Sequence, residues 1–180
     1  MLKRIRGFTL IELLIVVAIL GILAALLIPN AITAIQKAKQ KSTMKDITVI
    51  STAIADYITD NGIAPASQAG AYAGGDAFYL SLSPFYIKVL PITDQWGTDF
   101  NVWCGVVAYG IPTPVGADDF LVASFGRGGD PESWNFTVNS PEAGMMVVNK
   151  GEHFERDLVM WNGSWIRAPR TSAGPTTPTP

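Results

Sequence analysis

Gly7–Ile28 reads GFTLIELLIVVAILGILAALLI, and the reading of this stretch decides the fold. After Phe8 it carries one charge, Glu12, and no other ionisable group follows until Lys37. Wound as a helix at about 1.5 Å per residue, Phe8–Ile28 reaches roughly 31 Å, one bilayer core. Lys3, Arg4 and Arg6 precede it. The positive-inside bias then predicts a cytoplasmic N-terminus, with everything after Pro29 on the far side. A secretory signal has an apolar core of about 7–15 residues with its cleavage site behind it. Here the run is longer, and its distinctive residues, Gly7-Phe8-Thr9 and Glu12, come first. The stretch predicts a membrane anchor. A plain anchor leaves Glu12 unexplained, because a carboxylate at the centre of a spanning helix costs about 2.5–3.5 kcal/mol, less near its end. Such a residue normally has a partner, and the segment itself offers none.

Lys3-Arg4-Ile5-Arg6-Gly7-Phe8-Thr9-Leu10-Ile11-Glu12-Leu13 resembles the N-terminal signature of type IV pilins and their secretion relatives, the pseudopilins. The resemblance implies cleavage by a prepilin peptidase between Gly7 and Phe8 and methylation of the new Phe8 amine. It also implies that Glu12 pairs with the N-terminal amine of a neighbouring subunit during filament assembly. The physics agrees, since a lone charge in an apolar layer is expensive and a pair formed in trans offsets much of that cost.

The expected architecture is α+β: a long helical spine packed on a small antiparallel sheet, as in type IV pilin-like proteins. The expected divisions are a leader at 1–7, a transmembrane and filament-core helix at 8–29 and an amphipathic half of the spine at 30–61. A periplasmic globular domain at 62–169 and a disordered Pro/Thr-rich tail at 170–180 complete the chain. Hydrophobic residues make up 48% and charged residues 16%, the first figure inflated by the anchor. Net charge is −2 with no basic cluster outside the leader, so nucleic acid is not indicated as a partner. Cys104 is the one cysteine. It has no intrachain disulfide partner and reads as a small buried strand residue.

Along the spine, Gly21 and Pro29 are helix breakers, and Pro29 predicts a kink or break because proline removes a helix hydrogen bond. The resemblance implies that the segment between them loses helical structure in a packed filament. Beyond it, Ile32, Ile35, Ile47, Ile50, Ile54, Tyr57 and Ile58 recur at the spacing of one amphipathic face. Lys37, Lys39, Lys41, Lys45 and Asp46 suit solvent or neighbouring subunits. Asp60-Asn61-Gly62 with Pro65 stops the helix. Ala64–Gly75 reads as a loop, and Ala77–Leu82 as a short helix with Asp76 at its cap and Pro84 after its end. Leu90-Pro91 followed by Asp94-Gln95-Trp96-Gly97 is similar to a loop of the major pseudopilins of type II secretion, with Gln95 where that family carries proline. Strands are expected at Phe100–Tyr109, Phe120–Phe125 and Met145–Val148. Leu158–Met160 and Ser164–Ile166 form a hairpin through Asn162-Gly163.

Asp118–Asp130 resembles the calcium-binding segment of major pseudopilins. Calcium takes six to eight oxygen ligands, and glycine-rich turns let carbonyls converge. The candidate ligands are Asp119, Ser124, Gly126 and Asp130. Against this, Gly128 stands where the family carries an aspartate, Arg127 adds a positive charge, and a structural turn without metal is the rival reading. No enzyme constellation emerges: His153 is the only histidine and is expected at the surface. Trp103, Trp134, Trp161 and Trp165 suit core or subunit packing, with a binding platform as the alternative.

The expected function is that of a non-catalytic filament subunit, a major pseudopilin of type II secretion polymerising into a periplasmic pseudopilus that drives protein export. Its implied partners are other copies of itself, the prepilin peptidase, an inner-membrane assembly platform with its ATPase, and minor pseudopilins. It would sit in the bacterial inner membrane by one pass, with its C-terminal domain in the periplasm. The alternatives are a surface type IV pilin for adhesion, motility or DNA uptake and, below that, a membrane-anchored binding domain.

Overall fold

The computed structural model describes residues 7–66, 68–105, 109–111, 116–137, 139–148 and 151–170, the side chain of residue 141 excepted. Leader residues 1–6 and tail residues 171–180 lie outside this set, as does part of the strand expected at Phe100–Tyr109.

The spine is helix α1, Leu10–Asn61, 52 residues long. It begins after Thr9, whose hydroxyl accepts the Glu12 amide at 3.3 Å. It ends at Gly62, which takes a φ of +73° and donates its amide to the Ile58 carbonyl at 2.7 Å, a left-handed closure that a side chain would strain. The helix runs unbroken through Gly21 and Pro29, which corrects the expectation of a break in the single chain. One lost amide bond does not end a helix of this length, and the Thr33 hydroxyl donates to the Pro29 carbonyl at 3.0 Å in the turn that follows.

The chain divides into two compact units, Met1–Lys37 and Ala38–Pro180, so the boundary falls beyond Pro29. In the first, every residue from Gly7 to Ile28 is exposed, Leu10 to 87% and Leu27 to 68%. Ile32 and Ile35, expected on the buried face, are exposed as well.

In the second unit α1 buries Gln40, Thr43, Ile47, Ile50, Ser51, Ala53 and Ile54. Of these, Ile47, Ile50 and Ile54 pack against a five-stranded antiparallel sheet of order β1-β2-β3-β5-β6. The strands are β1 (Gln68–Ala71), β2 (Asn101–Cys104), β3 (Phe120–Ser124), β5 (Leu158–Trp161) and β6 (Ser164–Arg167). β1 falls in the stretch expected as a loop. Its Ala and Gly residues give no alternating pattern, and it forms by adding to the edge of β2. β2 stops at Gly105, with a φ of +62°, well short of the length expected. α2, Ala77–Leu82, forms where expected, although Asp76 makes no side-chain cap and accepts the Ala73 amide instead. The hairpin between β5 and β6 has Asn162 and Gly163 at φ of 45° and 77°, the left-handed pair of a type I′ turn. β4 (Met146–Val147) pairs in parallel with β7 (Pro169–Arg170), so Arg170 belongs to a strand and not to the tail.

β3 is buried at every position because both faces of the sheet are covered. On one face Phe120 and Val122 join Val102, Cys104, Leu158 and Met160 against Ile47, Ile50 and Ile54 of α1. On the other, Leu121 and Ala123 join Val159, Ile166 and Ile111, ringed by Trp103, Tyr109, Trp134, Phe136 and Trp161. At about 1.5–3 kcal/mol for each large apolar side chain buried, both layers hold the sheet. Trp103 stacks on Tyr109 at 5.6 Å, Tyr109 meets Trp134 edge-on at 5.8 Å, and Trp165 packs on the α1 side. The tryptophans are packing residues.

Candidate assembly interface

Gly7, Phe8 and Thr9 precede the first turn of α1 and are exposed, so the peptide bond expected to be cut lies outside the helix. The Glu12 carboxylate accepts the Thr9 amide at 3.0 Å and the Thr9 hydroxyl at 2.6 Å. With the Glu12 amide donating back to that hydroxyl, the pair forms a capping box, Thr9 at the cap and Glu12 three residues on. This corrects the reading that Glu12 has no partner in its own segment. The signal was present in the sequence as Thr-x-x-Glu ahead of an apolar run. Thr9 and Glu12 thus present one polar spot, and the surface from Leu13 to Ile28 is apolar.

The four candidate calcium ligands do not converge. Ser124, Gly126 and Asp130 lie at the far end of β3, whereas Asp119 sits ahead of its first residue, five positions or about 16 Å of extended chain away. There its carboxylate accepts the Gly116 amide and the Asn162 side-chain amide, both at 2.6 Å. Ser124 is committed within the core: its hydroxyl donates to Asp94 Oδ2 at 2.7 Å and accepts the Gly126 amide at 3.2 Å. Gly126, at a φ of +61°, packs so closely that a Cβ would lie 2.7 Å from the Arg156 carbonyl oxygen and 2.8 Å from that of Phe154. Arg127 pairs with Glu155 and donates its amide to the Phe154 carbonyl at 2.8 Å. Asp119 thus lies apart from the other three, and the turn is tied by protein groups. Among the described residues no three Asp, Glu, His or Cys side chains cluster as metal ligands.

Asp94 is the hub of the Leu90–Gly97 loop. Buried, it accepts the Trp96 and Thr98 amides on Oδ1 at 2.9 and 3.0 Å while Oδ2 takes Ser124. Gln95 ties the same loop to α1. Its amide donates to the Thr43 hydroxyl at 3.3 Å and its side chain to Asp46 at 3.1 Å. A proline at 95 would lack that amide.

Beneath the outer aromatic layer, Asp157 is fully buried and accepts the Tyr109 hydroxyl at 2.6 Å and the Glu132 amide at 3.1 Å. Burial pushes its carboxyl above the usual range, against the lowering effect of those bonds. Arg167 pairs with Glu132 beside it and lies 5.5 Å over the Trp134 ring. Cys104 is buried in β2, and burial pushes its thiol up to about 12, as befits an inert packing residue. His153, expected at the surface, leaves only 15% of its side chain exposed. It sits in the short 3-10 turn Gly151–Phe154, whose Phe154 is in the core.

Residues 2–28 match the family described as the prokaryotic N-terminal methylation motif. The chain is 35% identical over 105 residues to the type II secretion system core protein G of Pectobacterium carotovorum subsp. carotovorum, covering 55% of this chain and 67% of that protein. Its counterpart in Klebsiella pneumoniae is 34% identical over 109 residues, 56% and 76% of the two chains. That of Pseudomonas aeruginosa is 38% identical over 105 residues, 55% and 73%. No solved structure matches the chain.

Proposed function

This chain belongs to the type II secretion system core protein G family, and we propose that it is a major pseudopilin, polymerising into a periplasmic filament that drives protein export. The observation that carries the reading is the exposed apolar surface from Phe8 through α1 to Ile28, entered through one capped carboxylate. A surface of that size must be covered, by lipid before assembly and by other copies of α1 afterwards. One helix among the described residues is long and apolar enough to cross a membrane.

In this reading the prepilin peptidase cuts between Gly7 and Phe8 and methylates the Phe8 amine. The new cation enters the same apolar layer as Glu12. On assembly, Glu12 exchanges its bonds to Thr9 for the amine of a neighbouring subunit, so that neither charge is buried alone. Gly21 and Pro29 mark where α1 loses helical structure if packing in the filament demands it. The N-terminus faces the cytoplasm and the sheet domain the periplasm. The inner-membrane platform and its ATPase add subunits, and minor pseudopilins join the filament. The chain acts by assembly and carries out no catalysis.

Deletion of the gene, electron microscopy of filaments from overexpressing cells and mass spectrometry of their subunit test this together. The expected result is an export defect, with filaments built of this chain starting at methylated Phe8. Unimpaired export alongside long surface fibres of this chain would overturn it.

A further inference from the structure

We propose that the exposed face of α1 between Lys41 and Asp60 docks on a second copy of this chain in a fixed stagger, Lys41 against a neighbour's Asp56 and Lys45 against the same neighbour's Asp60. The proposal rests on the filament reading, in which every copy enters from one membrane and runs the same way. All four residues lie in the unit Ala38–Pro180, on a single stretch of α1. Lys41, Lys45, Thr48, Thr52, Asp56 and Asp60 are exposed and fall within about 120° of one another at roughly 100° per residue. Ile47, Ile50 and Ile54, on the opposite side, are buried in the core.

Charge is sorted along this face. Both cations stand at its N-terminal end and both anions at its C-terminal end. Between them, Thr48 and Thr52 donate their hydroxyls to the Met44 and Thr48 carbonyls at 3.0 and 2.8 Å. Within the chain the arrangement is unfavourable. Lys41 and Lys45 are four positions apart, as are Asp56 and Asp60, and like charges at that spacing repel on a helix. Asp60 stands in the last turn of α1, where the helix dipole disfavours an anion and no basic residue offsets it. Among the described residues, no side-chain ion pair or hydrogen bond engages Lys41, Lys45 or Asp56, and Asp60 accepts only the Tyr86 hydroxyl at 3.2 Å. A second copy supplies what the chain lacks.

Spacing fixes the register. Lys41 and Asp56 are 15 residues apart, and so are Lys45 and Asp60, so one axial displacement of about 22 Å forms both pairs. Such a contact is heterologous. Each copy sets its basic end on one neighbour and its acidic end on another, and the contact propagates as an open filament. The antiparallel match, Lys41 with Asp60 and Lys45 with Asp56, closes as a two-fold dimer and leaves no end free. Exposed pairs contribute little energy each, and their role here is to select the stagger.

Electron microscopy of filaments from cells expressing the full chain tests this. Absence of wild-type filaments would overturn the filament reading itself. With those present, Lys41→Glu with Lys45→Glu, and separately Asp56→Lys with Asp60→Lys, should each lower filament number about tenfold or more, because like charges then face each other. The chain carrying all four substitutions regains both pairs with their signs exchanged and should restore filaments. Wild-type numbers in either double variant, or no recovery in the fourfold one, would overturn the proposal. Disulfide cross-linking reads the register. Lys41→Cys with Asp56→Cys in one chain, too far apart on the helix to join each other, should give a ladder of linked subunits on oxidation. Cys104 is buried and takes no part. Linked dimers from Lys41→Cys with Asp60→Cys, without that ladder, would assign the face to an antiparallel pair and overturn the stagger.

Discussion

Thr9 and Glu12 cap each other: the carboxylate holds the Thr9 amide and hydroxyl at 3.0 and 2.6 Å, and the Glu12 amide returns a bond to that hydroxyl. The carboxylate that looked stranded in an apolar run is held by its own chain. Its energetic problem in a membrane is thereby reduced before any neighbour arrives, and the partner proposed for assembly must compete with Thr9. Glu12→Ala is therefore expected to leave membrane insertion intact and to abolish filament growth, read by flotation and by electron microscopy. Filaments of normal number and length would defeat the trans-pairing role.

The Asp94–Ser124 bond joins the Leu90–Gly97 loop to the end of the central strand inside the core. Ser124→Ala removes one buried hydroxyl and leaves Asp94 Oδ2 short of a donor, a loss of about 1–3 kcal/mol. Asp94→Ala also strips acceptors from the Trp96 and Thr98 amides and should cost more. Denaturant unfolding of the full chain in detergent measures both, and a wild-type midpoint for either would show that the loop is held elsewhere.

Asp157 is buried, and its carboxyl is raised above the range it has in an unfolded chain. A raised acid favours the folded state while protonated, and that contribution is lost as pH rises through the folded value. Asp157→Asn keeps an oxygen to accept from Tyr109 and Glu132 and removes the charge. It should raise the melting midpoint at pH 7–8, with the gain shrinking as pH falls through the folded value and gone below about 4. A loss of stability at neutral pH would mean that the charge itself is needed, most directly by nearby Arg167.

The Gly126–Asp130 turn is tied by Arg127 to Glu155 and by backbone bonds to Phe154 and Phe125. A chelator should leave the thermal midpoint of the chain unchanged, since a ligand bound only to the native state would otherwise raise it. A drop on chelation, restored by calcium, would return the turn to the role of an ion site.

Much of the fold was legible from residue order. The spine ends where Asn61-Gly62 predicts, β3 lies within Phe120–Phe125, and Asn162-Gly163 makes the hairpin. These signals are local, and each is decided by residues a few positions apart. β1 was not legible, because Gln68–Ala71 carries no strand pattern and owes its conformation to the edge it joins. Whether Asp119 lies beside Ser124 was not legible either, because proximity in sequence is not proximity in space. Asp119 and Ser124 are five residues apart, and an extended strand separates them as far as five residues can be separated.

The anchor, the family and the likeness of Gly7, Phe8 and Glu12 to a processing and assembly motif came from the sequence by itself. They depend on a contiguous run of residue types that reads the same in any fold. The tertiary structure alone decided that both faces of the sheet are covered and that Asp94 holds Ser124. Those facts depend on which groups meet across 30 or more residues of chain, and only the packing of α1 and the loops on the sheet brings them together or keeps them apart.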